Sequence, residues 1–195
     1  MVKIGILALQ GAFIEHQKKL EELGAETVQV RLPEHLQDLD GLIIPGGEST
    51  TIGKLATDYG LIEPLRKFAQ EKPTWGTCAG LIFLAKDIGN DQQAILGVLD
   101  AKVDRNAFGR QLDSFETDLQ FKELENDKPF HAVFIRAPIV RSVGENVQIL
   151  AQLDDDRIVA VRQEHLLGTA FHPELTNDNR LHRYFYDMVA QKQHA

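Results

Sequence analysis

Apolar positions along the first ninety residues switch between two periodicities. Val2 to Leu9 is an almost unbroken apolar run, as a strand buried on both faces requires. Ala12 to Leu23 changes to helical spacing, with Phe13, Leu20 and Leu23 apolar, and Gly24 follows as a helix stop. Glu26 to Arg31 predicts a short strand, and Gly41 to Ile44 a buried one running into Pro45-Gly46-Gly47. Leu61 to Gln70 predicts a helix with Pro64 in its first turn, Thr74 to Thr77 a strand and Ala79 to Lys86 a helix. This alternation implies right-handed crossovers and a doubly wound, flavodoxin-like, mostly parallel sheet, hence an α/β fold.

The second half changes character. Leu96 to Val103, Ser114 to Phe121, Ala132 to Ala137, Val147 to Leu153, Arg157 to Gln163 and Leu166 to Phe171 read as strands with little helix between them, and Asn177 to Gln191 as a closing helix. Asp154-Asp155-Asp156 separates two of these strands and reads as a solvated hairpin turn, since a metal site would need further ligands. Phe130, Phe134 and Phe171 are candidate core residues. Without repeats, low-complexity segments or linkers, residues 1–195 read as one domain whose β-rich half extends or inserts into the sheet.

Composition narrows the classes of function. With 43% hydrophobic and 26% charged residues, the 195-residue chain has the make-up of a globular protein. A net charge of −8 opposes the counterion release that drives nucleic-acid binding. One cysteine allows no internal disulfide, the opening residues lack a signal-peptide pattern, and no apolar run reaches membrane-spanning length, so a reducing cytoplasm is the expected address.

Sites in open α/β sheets form beyond the carboxyl ends of the parallel strands, and three segments carry chemistry there. In Gly76-Thr77-Cys78-Ala79-Gly80, the glycines permit a sharp strand-to-helix turn that presents the thiol, and the following helix start favours a thiolate. The competing reading is a buried structural thiol. His172 and Glu174 flank a proline that holds the chain extended, which points both side chains one way as a base and its orienter; a strand-end histidine beside a surface glutamate is the plainer alternative. In Pro45-Gly46-Gly47-Glu48-Ser49-Thr50, the backbone amide of Gly47, together with that of Ala79, can face a developing oxyanion, although a glycine turn with a helix cap explains the same residues. A phosphate-loop reading of residues 47–55 fails, because the glycine spacing is one residue too long and Leu55 stands where a metal-binding hydroxyl belongs.

Gly76-Thr-Cys-Ala-Gly80 combined with His172-Pro-Glu174 resembles the class I, triad-type glutamine amidotransferases. Leu9-Gln-Gly-Ala12, Pro45-Gly-Gly-Glu-Ser-Thr-Thr51, Arg105-Asn-Ala-Phe-Gly-Arg-Gln111, Asp113-Ser-Phe-Glu116 and Phe134-Ile-Arg-Ala-Pro138 narrow the resemblance to the glutaminase subunits of pyridoxal 5'-phosphate synthases. The resemblance implies a Cys78-His172-Glu174 triad, an oxyanion hole from the Gly47 and Ala79 amides, and L-glutamine held near Gly46, Gly47, Glu48, Ser49, Arg105, Ile135 and Arg136. It also implies that Gln10 lies near the oxyanion loop and the partner surface. It further implies ammonia delivery to a (β/α)₈-barrel synthase subunit, a 12+12 assembly, and activation through rearrangement of the Gly46-Gly47 loop on docking. No cofactor is expected. His16, His35, His131, His165, His182 and His194 show no metal-ligand spacing and read as surface or packing residues. Open alternatives are a glutaminase serving another amination such as imidazole glycerol phosphate synthesis, a cysteine hydrolase of similar fold, and a non-enzymatic receiver-like module.

Overall fold

A computed structural model describes residues 1–90, 92–105, 108 and 114–195. The first half runs β1 (Lys3–Leu7), α1 (Phe13–Glu22), β2 (Glu26–Val30), β3 (Gly41–Ile44), α2 (Ser49–Asp58), α3 (Ile62–Glu71), β4 (Thr74–Thr77) and α4 (Ala79–Leu84), and of these α2 is the helix that the periodicity does not mark out. β5 (Ala85–Asp87), β6 (Leu99–Asp104), β7 (Ser114–Leu119), β8 (Phe130–Ile135), β9 (Ile139–Val143), β10 (Gln148–Gln152), β11 (Ile158–Gln163) and β12 (Leu166–Thr169) precede the closing α5 (Arg180–Gln193).

Among the described residues, ten strands form one sheet in the order β2-β1-β3-β4-β12-β11-β9-β6-β5, with β10 added onto β11. From β2 to β12 neighbouring strands are parallel, whereas β11 pairs antiparallel with β12, β10 and β9. β7 and β8 form a separate antiparallel pair. α1 packs against α5, and α2 against α3 and α4.

The parallel half is made by residues that cannot remain in water. All four residues of β3, β4 and β12 are buried, and Trp75 and Phe185 are fully so. Phe130, Phe134 and Phe171 lie in the core as their sequence context suggests. The Phe171 ring is 5.8 Å from Phe130 and 5.5 Å from Phe134, which fastens the β7–β8 pair to the chain just before His172.

Several boundaries differ from expectation for identifiable reasons. The helix expected over Ala79–Lys86 stops at Leu84, where Ala85 turns to ψ 149° and its segment pairs parallel with β6. β9 is not anticipated by the pattern, because exposed Arg141 and Ser142 interrupt its apolar residues Ile139, Val140 and Val143. The helix expected from Asn177 begins at Arg180, whose backbone N–H donates to the Asp178 carboxylate at 3.0 Å. Asp154 and Asp155 form the turn between β10 and β11, and Asp155 pairs with Arg157 at 2.7 Å. Of the motif residues named above, 106–107, 109–111 and 113 lie outside the described residues.

Candidate active site

β1, β3, β4 and β12 end side by side, and each delivers one part of the site. At the end of β4 the chain turns sharply, and Cys78 takes φ 50° and ψ −107°, a conformation rare for a residue with a side chain. The turn is held from both sides: the Cys78 N–H donates to the Thr169 carbonyl at 2.8 Å, and the Cys78 carbonyl accepts from Leu81 N at 3.1 Å. Both flanking glycines are sterically required. A Cβ on Gly76 would collide with the Gly80 carbonyl, and one on Gly80 with the Ile44 carbonyl of the next strand. The Ala79 amide sits at the start of α4, where the first N–H groups of a helix lack intrahelical partners.

The parallel register of Gly168 with Gly76 and Thr169 with Thr77 places the chain leaving β12 beside the cysteine turn. His172 is anchored by its own N–H, which donates to Val133 O of β8 at 2.8 Å. Its Nδ1 lies 2.6 Å from Glu174 Oε1, and the Glu174 side chain is fully buried. The two side chains do not meet by i, i+2 alternation of an extended chain. Pro173–Leu175 forms a 3₁₀ turn that brings the carboxylate back under the imidazole.

His172 also adjoins Cys78. A Cβ built on Gly46 would lie 2.7 Å from His172 Cε1 and 3.2 Å from Cys78 Cβ, so this glycine leaves the room in which the two side chains converge. Burial opposes a charged imidazole here, but hydrogen bonds to Cys78 and Glu174, and their charges, outweigh it and push the His172 pKa up to about 10. Burial likewise opposes the Glu174 carboxylate, yet the His16 and His172 imidazoles hold its pKa below the usual carboxylate range. The pair is thus built to carry opposite charges.

The loop after β3 is fastened to the turn after β1. Gly46 O accepts from Ala12 N at 3.1 Å, and Gln10 Oε1 accepts from Glu48 N at 2.8 Å. Gly11 has φ 97°, and a Cβ there would collide with the Gly46 carbonyl; one on Gly47 would collide with the Gln10 side chain. Glu48 caps α2, accepting from Thr50 N at 3.2 Å, Thr51 N at 2.8 Å and the hydroxyls of both threonines. Those bonds, the Thr50 hydroxyl foremost, lower its pKa to about 2. Arg105 reaches within 3.9 Å of the Glu48 carboxylate, and Ser49 is buried at the start of α2. The Cys78 thiol points at the Ile135 carbonyl, 3.9 Å away, and Arg136 follows, exposed, with φ 46°.

Two histidines expected to be ordinary surface or packing residues prove to be fully buried behind the site. His16 Nε2 lies 3.4 Å from Glu174 Oε2, and His16 Nδ1 lies 2.8 Å from His182 Nε2. A sequence signal exists: His16 stands four residues before Leu20 on the inner face of α1, and His182 lies among Leu181, Phe185 and Met188 on that of α5. Among the described residues no group of three or more His, Cys, Asp or Glu side chains is placed to hold a metal ion.

Known proteins resemble the chain over nearly its whole length. A pyridoxal 5'-phosphate synthase subunit PdxT from Herpetosiphon aurantiacus is 60% identical over 186 residues, 93% of this chain and 97% of that protein. One from Carboxydothermus hydrogenoformans is 55% identical over 191 residues, 97% and 99% of the two chains. A crystal structure of a glutamine amidotransferase, 54% identical, superposes with a TM-score of 0.89 over 96% of this chain and 98% of that one. The structure of PurLQS from Thermotoga maritima, at 18% identity and TM-score 0.64 over 98% of this chain and 96% of that one, shares the fold. Residues 6–191 match the SNO glutamine amidotransferase family, and the chain belongs to that family.

Proposed function

We propose that this protein is the glutaminase subunit of a pyridoxal 5'-phosphate synthase, hydrolysing L-glutamine to L-glutamate and ammonia with Cys78, His172 and Glu174. The observation that carries the reading is the 2.6 Å bond between His172 and a fully buried Glu174, beside a cysteine held in a strained turn at the strand ends. A buried structural thiol needs none of these.

In the first half-reaction the Cys78 thiolate attacks the side-chain amide carbon, and the tetrahedral oxyanion is taken up by the Gly47 and Ala79 N–H groups. The His172 imidazolium gives its proton to the departing nitrogen, the C–N bond breaks, and ammonia leaves behind a glutamyl thioester. Neutral His172 then takes a proton from water as the hydroxyl adds to the thioester carbonyl. Collapse of that adduct expels the thiolate and frees glutamate. Glu174 stays ionised throughout, holding the His172 Nδ1–H and stabilising each imidazolium state.

For the substrate's amino-acid end, Glu48 offers a carboxylate to the ammonium and Arg105 a guanidinium to the carboxylate. Gly46, Gly47, Ser49, Ile135 and Arg136 complete the proposed glutamine site. The ammonia passes to a (β/α)₈-barrel synthase subunit in a 12+12 assembly, and docking rearranges the Gly46-Gly47 loop. Residues 1–195 act as one domain. We place the protein in the cytoplasm, whose reducing conditions keep a lone thiol free.

The test is glutamate release and pyridoxal 5'-phosphate formation with and without the synthase subunit. Cys78→Ala is expected to abolish glutamine-dependent synthesis while synthesis from added ammonium salt continues. Glutamine-dependent synthesis surviving in that variant would refute the triad.

A further inference from the structure

We propose that His16 and His182 form a one-way hydrogen-bond relay behind the active site, in which His16 is a positioning residue that orients Glu174 and holds it ionised. Both rings are 0% exposed. The contacts run from His182 Nε2 to His16 Nδ1 (2.8 Å) and from His16 Nε2 to Glu174 Oε2 (3.4 Å), while Glu174 Oε1 receives His172 (2.6 Å). α5, α1, the 3₁₀ turn and the nucleophile are thereby linked in series.

Counting protons leaves one arrangement without a stranded donor. Glu174 Oε1 accepts from the His172 Nδ1–H, while the buried Oε2 has no hydrogen-bond partner of ordinary length among the described residues, and an N–H on His16 Nε2, 3.4 Å away, would face it. Neutral His16 then has a bare Nδ1, which must accept from His182 Nε2–H. That leaves His182 Nδ1 as the bare nitrogen, and it is the one nitrogen of the relay with no hydrogen-bond partner among the described residues. A doubly protonated His16 would instead drive His182 into its other tautomer and bury an N–H with nothing to accept it.

The surroundings agree. The indole of Trp75 meets both rings edge-on, 5.8 Å from His16 and 4.9 Å from His182, and the Thr77 hydroxyl lies 3.3 Å from His16 Nε2. The charged groups facing His16 are Glu174 and His172 from the site and Glu15 and Lys19 from its own helix; Lys19 also faces His182. Burial prevails for both rings and lowers their pKa values, so both stay neutral near pH 7.

This inference rests on the triad reading, and the experiment separates the two. An amide can replace either end of the imidazole: the glutamine Nε2 of H16Q falls where His16 Nε2 stood and still donates to Glu174, whereas H16N keeps only a partner for His182. In the complex with the synthase subunit, H16Q is expected to hold kcat within about threefold of the parent protein. H16N is expected to lose about ten- to a hundredfold in kcat with KM little changed. In H16N the acid limb of the kcat profile should also rise by roughly one pH unit, because a carboxylate that loses a donor protonates more easily. Equal damage in both variants, tracking folded fraction by circular dichroism with an unmoved acid limb, would mean a packing role and overturn the relay. Survival of glutaminase activity in Cys78→Ala would remove the triad instead. Histidine ¹⁵N NMR of the unaltered protein needs no variant to fold: neutral Nε2–H tautomers for both His16 and His182 from pH 6 to 8 support the relay, and a cationic or Nδ1–H His16 overturns it.

Discussion

Glu174→Gln is the substitution on which the structure makes the most quantitative demand. The side chain keeps its shape, and its amide oxygen can still accept from His172 Nδ1–H, so what disappears is the charge. That charge sits 2.6 Å from the imidazole in a side chain with no solvent exposure, where screening by water is least. A hydrogen bond to a charged partner contributes about 1.5–3 kcal/mol, which predicts a loss of roughly 10- to 150-fold in kcat/KM. The amide nitrogen would also face the His16 N–H, donor against donor, which places the loss toward the upper end. The pH profile gives a second reading. With His172 raised to about 10, its proton is available for ammonia release up to that pH, and Glu174 is one of the groups that raise it. Without the carboxylate the His172 pKa falls, and the alkaline limb of kcat/KM is expected to move down by roughly one to two units. The assay is glutamate release, coupled to glutamate dehydrogenase, across the neutral and alkaline range with saturating synthase subunit. Activity within about threefold of the parent protein and an unmoved alkaline limb would refute the role assigned to Glu174.

Other positions give independent checks. Gly80→Ala sets a Cβ against the Ile44 backbone carbonyl, where no flexible side chain can yield; displacement of the turn by about 1 Å is expected to cost about a hundredfold in kcat, read against an unchanged complex in sedimentation. Glu48→Gln weakens the cap of α2 and is expected to cost about 1 kcal/mol in urea unfolding, together with a higher KM for glutamine. Because the folded pKa of Glu48 lies near 2 against an ordinary 4.5, its stabilising contribution is complete above pH 4.5 and is lost as pH falls toward 2. The stability gap between the parent protein and Glu48→Gln should therefore narrow on acidification; a gap that widens contradicts the assignment.

In the parallel half, β1, β3, β4 and β12 are legible because each is a short segment buried on both faces, whereas β2 at the sheet edge is only partly buried. The turn at Cys78 is legible for a different reason, since two glycines around a small residue have few uses at a strand-to-helix junction, and both prove sterically obligatory. β5 is not legible: Ala85, Lys86 and Asp87 suit the end of a helix, and only pairing with β6 makes them a strand. The sequence points to the contact between His172 and Glu174 but not to its path, because the extended conformation favoured before proline gives way to a 3₁₀ turn. Metal-ligand spacing, as a criterion, passes over His16 and His182. Their place on the inner faces of α1 and α5 is visible in the helical period, but a partner across 166 residues of sequence is not.

The central claim is that Cys78 forms a covalent bond to the carbon of the glutamine amide. The direct measurement is peptide mass spectrometry after treating the complex with a glutamine-mimicking electrophile. The account predicts one adduct per chain, on the peptide containing Cys78, formed faster with the synthase subunit present and suppressed by excess glutamine. An unmodified Cys78 in a complex that is still consuming glutamine would contradict it.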